Sequence, residues 1–255
     1  MFYDTFSTDY DRFVNWPGRL AVEMPFLEGR LKEAGARRVL DAACGTGMHA
    51  IALAKLGFEV AGADLSAGMI ERARANAAAS GLSVQFEEAG FGDLQRTFGA
   101  QTFDALLCLG NSLPHLLTPD LLTAALVDFA GCLKPGGLLL IQNRNFDGVT
   151  EKRERWMEPQ AAHEGQAEWL FLRFYDFEAD GLLTFNIVTL HREGMTAWTQ
   201  SVMTTRLRPL LQDEMKTILE STGFESITCL GNMTGAPFDA MTSGNLVLIA
   251  RLSRE

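Results

Sequence analysis

The sequence predicts a doubly wound, mostly parallel α/β sheet with an antiparallel β insertion late in the chain. Three observations carry this. Short apolar runs alternate with amphipathic stretches from residue 38 to residue 143, the signature of repeated strand–helix units. A glycine-containing turn at residues 44–47 joins the first run to a helical stretch. From about residue 147 the texture changes to long runs rich in Phe, Leu, Val and Thr, separated by Asp180-Gly181 and Glu193-Gly194, both hairpin-turn signals.

Taken in order, residues 17–35 open with Pro17 and place Leu20, Met24, Leu27 and Leu31 at three-to-four spacing, which predicts an amphipathic helix ahead of the sheet. Residues 38–43 read as a buried strand, followed by the turn and a helix ending near Gly57. A strand at 58–63 leads to a helix at 66–80 with Ser66 as its N-cap. Strands follow at 82–86 and 103–109, then a helix at 119–133 and, after the turn Pro135-Gly136-Gly137, a strand at 138–143. The runs 166–177, 182–193 and 196–207 form an antiparallel meander; a helix at 211–222 and strands at 224–230 and 245–251 complete the sheet. Residues 1–146 with 209–255 are thus expected to form one domain. Residues 147–208 are expected to be an inserted lid over the edge where strand carboxyl ends gather a ligand.

The chain has 255 residues, 22 Lys and Arg against 32 Asp and Glu, a formal charge of −10 and no long basic run. That balance opposes a surface that grips nucleic-acid phosphates, and a small-molecule partner is expected. The four cysteines stand far apart with no CxxC pair, which predicts a reduced, intracellular protein with no metal site. The N-terminus lacks the basic-then-apolar order of a signal peptide, and no apolar run approaches the ~20 residues that span a bilayer. A cytoplasmic protein with no membrane partner is expected.

The strongest local signal is the run Val39-Leu40-Asp41-Ala42-Ala43-Cys44-Gly45-Thr46-Gly47 before a helix, with Asp64 ending the next strand. Glycines let backbone pass close under a ligand, and a carboxylate at Asp64 suits the hydroxyls of a ribose. Gly45-x-Gly47-x-x-Ala50 also matches a dinucleotide fingerprint, so a nicotinamide-dependent dehydrogenase is one reading. Asp41 weighs the other way: its carboxylate repels a pyrophosphate and attracts a sulfonium or ammonium group. At the reacting edge, the strand 103–109 stops in Gly110-Asn111-Ser112-Leu113-Pro114-His115, placing Asn111 and His115 at the crevice. The next strand ends Asn143-Arg144-Asn145-Phe146-Asp147. Arg144 suits a substrate carboxylate through its planar fork, or else pairs with Asp147 or an acid of the insertion.

Asp41-x-Ala43-Cys44-Gly45-Thr46-Gly47 followed by Asp64 resembles the first two motifs of class I S-adenosyl-L-methionine-dependent methyltransferases, whose fold is a Rossmann-like seven-stranded sheet. The stretches Leu107–Ser112, His115-Leu116 and Arg144–Asp147 resemble, more narrowly, the glycine and sarcosine N-methyltransferases. The resemblance implies that Ala43, Gly45 and Gly47 lie under the cofactor and that Asp64 holds its ribose. It implies that Leu65, Gly90 and Phe91 lie at the adenine, that Met69 and Leu109 line the same pocket, and that the sulfonium end lies near Asp41 and Ala43. Arg19 would anchor the methionyl carboxylate, Asn111 and Arg144 would hold an amino-acid-like acceptor, Tyr10 would close the site, and His115 is a lesser candidate.

The sequence departs from that family at Phe91, where the family has Trp, and at Gly90, where it has Asn. It holds only Tyr3, Tyr10 and Tyr175, and none before Pro209, where the family carries tyrosines. The acceptor is therefore expected to be a small amine of the glycine type or another small metabolite. A non-catalytic cofactor-binding protein stays open as an alternative.

Overall fold

The structure, a computed structural model, describes residues 10–254; Tyr3 lies outside them. Residues 10–13 are helical, and α1 (Trp16–Glu33) follows, capped by Asn15, whose side chain accepts from the Gly18 amide at 3.1 Å. The alternating region then lays down β1 (Arg38–Asp41), α2 (Met48–Lys55), β2 (Glu59–Asp64), α3 (Ala67–Ala79), β3 (Gln85–Glu88), the short α4 (Leu94–Phe98), β4 (Phe103–Cys108), α5 (Pro119–Cys132) and β5 (Leu133–Arg144). Beyond it come α6 (Phe146–Lys152), β6 (Gln160–Glu164), β7 (Ala167–Phe177), β8 (Leu183–Glu193), β9 (Thr199–Leu207), α7 (Gln212–Ser221), β10 (Phe224–Leu230) and β11 (Asn245–Leu252).

Seven strands form one sheet in the order β10-β11-β5-β4-β1-β2-β3, in which β11 alone runs antiparallel to its neighbours. Alternate residues of β4 explain why the sheet is apolar on both faces. Ala105 and Leu107 pack with Leu27 and Leu31 of α1 on one side, and Leu106 and Cys108 pack with Leu122, Leu126 and Phe129 of α5 and Met215 of α7 on the other. The chain winds from β1 outward to β3, then returns to β4 on the other side of β1. That reversal opens a crevice at the carboxyl ends of β1 and β4.

Some boundaries differ from expectation. Pro135-Gly136-Gly137 does not precede the strand but bulges within β5, between the pairs Phe103–Leu133 and Ala105–Leu138. The strand expected at 82–86 is displaced to Gln85–Glu88. The meander gains a fourth, edge strand, β6, whose sequence Gln-Ala-Ala-His-Glu has little β character and is held by pairing with β7. Strands β6–β9 form their own antiparallel sheet. Among the described residues no helix is long and apolar enough to cross a membrane.

Candidate functional site

Two connected chambers lie at the crevice. The first, about 400 Å³, is lined by Ala43, Gly45, Asp64, Leu65, Met69, Gly90, Phe91 and Leu109, so eight of the eleven expected cofactor residues share one cleft. Asp64 sits at the end of β2, where its two carboxylate oxygens accept from the amides of Gly45 at 2.9 Å and Ser66 at 3.0 Å. Those bonds fix an acceptor suited to a diol. Leu65 is 56% exposed beside it, and a Cβ on Gly90 would lie 3.0 Å from Leu65 Cδ1, so the glycine keeps the apolar slot open. Phe91 forms the far wall, edge-on to Phe129 at 5.4 Å.

The remaining three expected cofactor residues are placed otherwise. Gly47, with φ +79°, caps α2; a Cβ there would fall 2.8 Å from Phe86 Cζ and 2.9 Å from Ala73 Cβ, so its missing side chain serves packing. Asp41 lies at the end of β1, 1% exposed, with neither carboxylate oxygen hydrogen-bonded. Burial, reinforced by the charge of Asp64 and opposed by Arg19 and by the nearby Ala43 amide, pushes its carboxyl up to about 7. Arg19 stands in the neighbouring chamber, its guanidinium alongside Gly110, donating to Glu23 at 3.0 Å and to Gln142 Oε1 at 3.1 Å.

The second chamber, about 260 Å³, takes its walls from α1, the ends of β4 and β5, and the inner face of the four-stranded sheet. It brings together all four expected acceptor-side residues, Tyr10, Asn111, His115 and Arg144. Asn111 has φ +69°, a conformation asparagine tolerates, and its side-chain oxygen accepts from the Arg144 amide at 2.9 Å. That leaves its NH2 as the donor. Arg144 pairs with Glu154 of the insertion at 3.0 Å, the acid-partner reading of its sequence position, while its Nε is buried without a partner. Tyr10, Gly110 and His115 border both chambers. Burial lowers His115 to about 4, so its ring is neutral near pH 7.

Several residues that line or support the chambers escape a reading of the sequence. Asp11 accepts from Thr46 at 2.6 Å, Trp16 at 2.9 Å and Arg72 at 3.1 Å, tying the N-terminal segment to the glycine turn and thereby setting Tyr10 over Gly45. Glu23 faces the chamber and is hydrogen-bonded to buried His49 at 2.6 Å. Burial works against its charge, but His49 and Arg19 outweigh that and hold the carboxyl below its ordinary value. Burial also lowers His49, so a neutral imidazole donates to a carboxylate. Asn143 is 1% exposed with both side-chain polar atoms unpartnered. Arg173 and Tyr175 of β7 complete the wall; burial pushes the Tyr175 hydroxyl up to about 12 against the pull of Arg144 and Arg173. Glu23 and Arg173 did leave a sequence signal, because each is a charge on an otherwise apolar stripe: Glu23 with Leu27 and Leu31, Arg173 with Trp169, Phe171 and Tyr175.

Residues 39–137 match a family model described as a methyltransferase domain. The glycine/sarcosine N-methyltransferase of Aphanothece halophytica is 31% identical over 233 residues, covering 91% of this chain and 82% of that protein. An S-adenosylmethionine-dependent methyltransferase from Clostridium acetobutylicum superposes with a TM-score of 0.79 over 98% of this chain and 99% of its own, at 17% identity, a likeness of fold. The CcbJ methyltransferase of Streptomyces caelestis gives 0.76 at 25% identity, over 99% and 98%. These matches decide between the two readings of Gly45-x-Gly47-x-x-Ala50 against the dehydrogenase.

Proposed function

Because the chain belongs to the glycine and sarcosine N-methyltransferase family, an S-adenosylmethionine-dependent group, we propose that it methylates the nitrogen of a small amine that carries a carboxylate. The observation that carries this reading is the meeting, at Gly110, of a cleft holding Asp64, Leu65 and Phe91 with a chamber holding Arg144 and Asn111.

The residues fit the cofactor. Two buried carboxylate oxygens without partners suit the methionyl ammonium and sulfonium charges, Arg19 suits the methionyl carboxylate, Asp64 the ribose, and Leu65 with Phe91 the adenine. When bound, S-adenosylmethionine supplies a methyl group on a positively charged sulfur, a good leaving group. The nitrogen–carbon bond forms as the carbon–sulfur bond breaks, and the amine's proton leaves to solvent. The chain contributes placement. Arg144 and Asn111 grip the acceptor carboxylate, so the amine points across Gly110 into the cofactor cleft. Glu23 is already committed to His49 and Arg19, and His115 is too weak a base, so the amine enters neutral. Rates should therefore track the acceptor's own amine pKa, moving when the acceptor is changed. The insertion 147–208 acts as the cover that excludes water. Its Glu154 pairs with Arg144 at the exposed rim, where such a bond is worth about 0–1 kcal/mol and exchanges readily for an incoming carboxylate.

Transfer of labelled methyl to glycine, sarcosine and carboxylate-free amines tests the proposal. Arg144→Ala should raise KM for a carboxylate acceptor about 10- to 100-fold, the worth of a charge-assisted bond, and leave affinity for S-adenosylhomocysteine within twofold. Equal loss of both, or cofactor binding without transfer to any amine, overturns it.

A further inference from the structure

Among the described residues, the acceptor chamber's lining holds one cation that no carboxylate answers. Its charged lining is Arg19, Glu23, Arg144 and Arg173, in a chain whose overall charge is −10. Arg19 and Glu23 pair with each other, and Arg144 shares Glu154. Arg173 pairs with no carboxylate among the described residues. Its guanidinium lies 4.9 Å over the ring of Phe13, and its Nε is buried without a hydrogen-bond partner. A ring face attracts a cation but does not neutralise it.

Its position is built rather than incidental. Arg173 and Tyr175 on β7 sit opposite Ile187 and Phe185 on β8, and all four line the chamber, so this face of the sheet presents one cation in an apolar setting. Burial, and to a lesser degree the charge of Arg144, disfavour the charge of Arg173, with Tyr175 opposing them. A guanidinium stays protonated under such pressure, so the strain is relieved by an anion. A monocarboxylate seated on Arg144 would leave Arg173 uncompensated in a closed site.

From this juxtaposition we infer that the natural acceptor is an amine flanked by two anionic groups, one held by Arg144 and Asn111 and the second by Arg173. This rests on the amine-methyltransferase reading above. The shared chemistry is that of an acidic amino acid, with a carboxylate or a phosphate as its second group. The bond changes are those already given, and the second anion takes no part in them.

Calorimetric titrations of the protein saturated with S-adenosylhomocysteine compare glycine and sarcosine with aspartate, glutamate and phosphoserine. The expected result is binding of at least one dianionic compound tenfold or more tighter than glycine, with aspartate and glutamate against phosphoserine distinguishing the two sources of charge. Arg173→Gln should abolish that preference and leave glycine within twofold. No preference in the unaltered protein overturns the inference, as does an Arg173→Gln protein that loses glycine and dianion equally. Should Arg173→Gln fail to bind S-adenosylhomocysteine, the unaltered protein's preference decides. Methylation of glycine without preference for dianions rejects only this inference, whereas no binding or methylation of any amine rejects the parent reading.

Discussion

The two chambers meet at Tyr10, Gly110 and His115 yet are made in different ways. The cofactor cleft is mostly local: apart from Tyr10 and Thr205, its lining comes from the turns after β1, β2, β3 and β4, between residues 42 and 116. The acceptor chamber draws on residues from Tyr10 to Asn245, on both sheets and the N-terminal segment. A site on consecutive strand ends inherits the rigidity of the sheet, whereas a site assembled across two sheets depends on how one sits over the other. Perturbations of the first should therefore leave the second intact.

The largest effect of that kind is expected at Asp64. Asp64→Asn removes the charge from the group bonded to Gly45 and Ser66. It should weaken S-adenosylhomocysteine about 10- to 100-fold, while the KM of the acceptor at saturating cofactor moves less than threefold. An acceptor KM that rises in parallel would mean the chambers are not independent.

Asp41 sharpens the contrast through pH. Its carboxyl is raised, by burial first and by Asp64 second, to about 7. The empty folded protein therefore holds a proton there that the unfolded chain releases near pH 4, so this contribution to stability is present at low pH and lost as pH rises through about 7. Asp41→Asn should raise the unfolding free energy of the empty protein more at pH 8 than at pH 6, by on the order of 1–3 kcal/mol at pH 8, and weaken cofactor binding. Equal shifts at both pH values would remove the titration of Asp41 from the explanation.

The smallest effect belongs to the shared border. His115 is lowered by burial to about 4, so between roughly pH 6.5 and 4 the unfolded chain binds the extra proton. Stability present above pH 6.5 is lost as pH falls toward 4. His115→Asn should flatten that decline by about 1 kcal/mol; denaturant titrations at pH 7 and 5 giving the same difference for both proteins would assign the decline to other groups.

The same division explains what could be read before folding. Asp41, Gly45 and Asp64 stand in a fixed turn-and-strand spacing, so their neighbourhood follows from sequence order, and the strand–helix alternation placed Asn111 and Arg144 at the right edge. Arg173 shares a stripe with Trp169, Phe171 and Tyr175, but the order of residues does not say which face of the meander covers the crevice, because the two faces differ by one residue of register and packing of Phe171 on Phe13 and of Tyr175 on Phe146 selects between them. Asn143 was hidden for a related reason. It sits among Gln142, Arg144 and Asn145, a polar run that reads as surface until β11 pairs beside it. Short α4 and α6 and the edge strand β6 have too few residues to carry a periodic signal.

The pairing of β7 with β8 has a consequence for descent. Because Arg173 faces Ile187 and Tyr175 faces Phe185, the acceptor choice proposed above would be written in alternate letters of two adjacent strands. The intervening letters face away, free to keep the sheet intact. Such a wall can be respelled one couple at a time while the glycine turn and its carboxylates stay unedited, so new acceptors are open to a lineage that never has to reinvent its methyl donor.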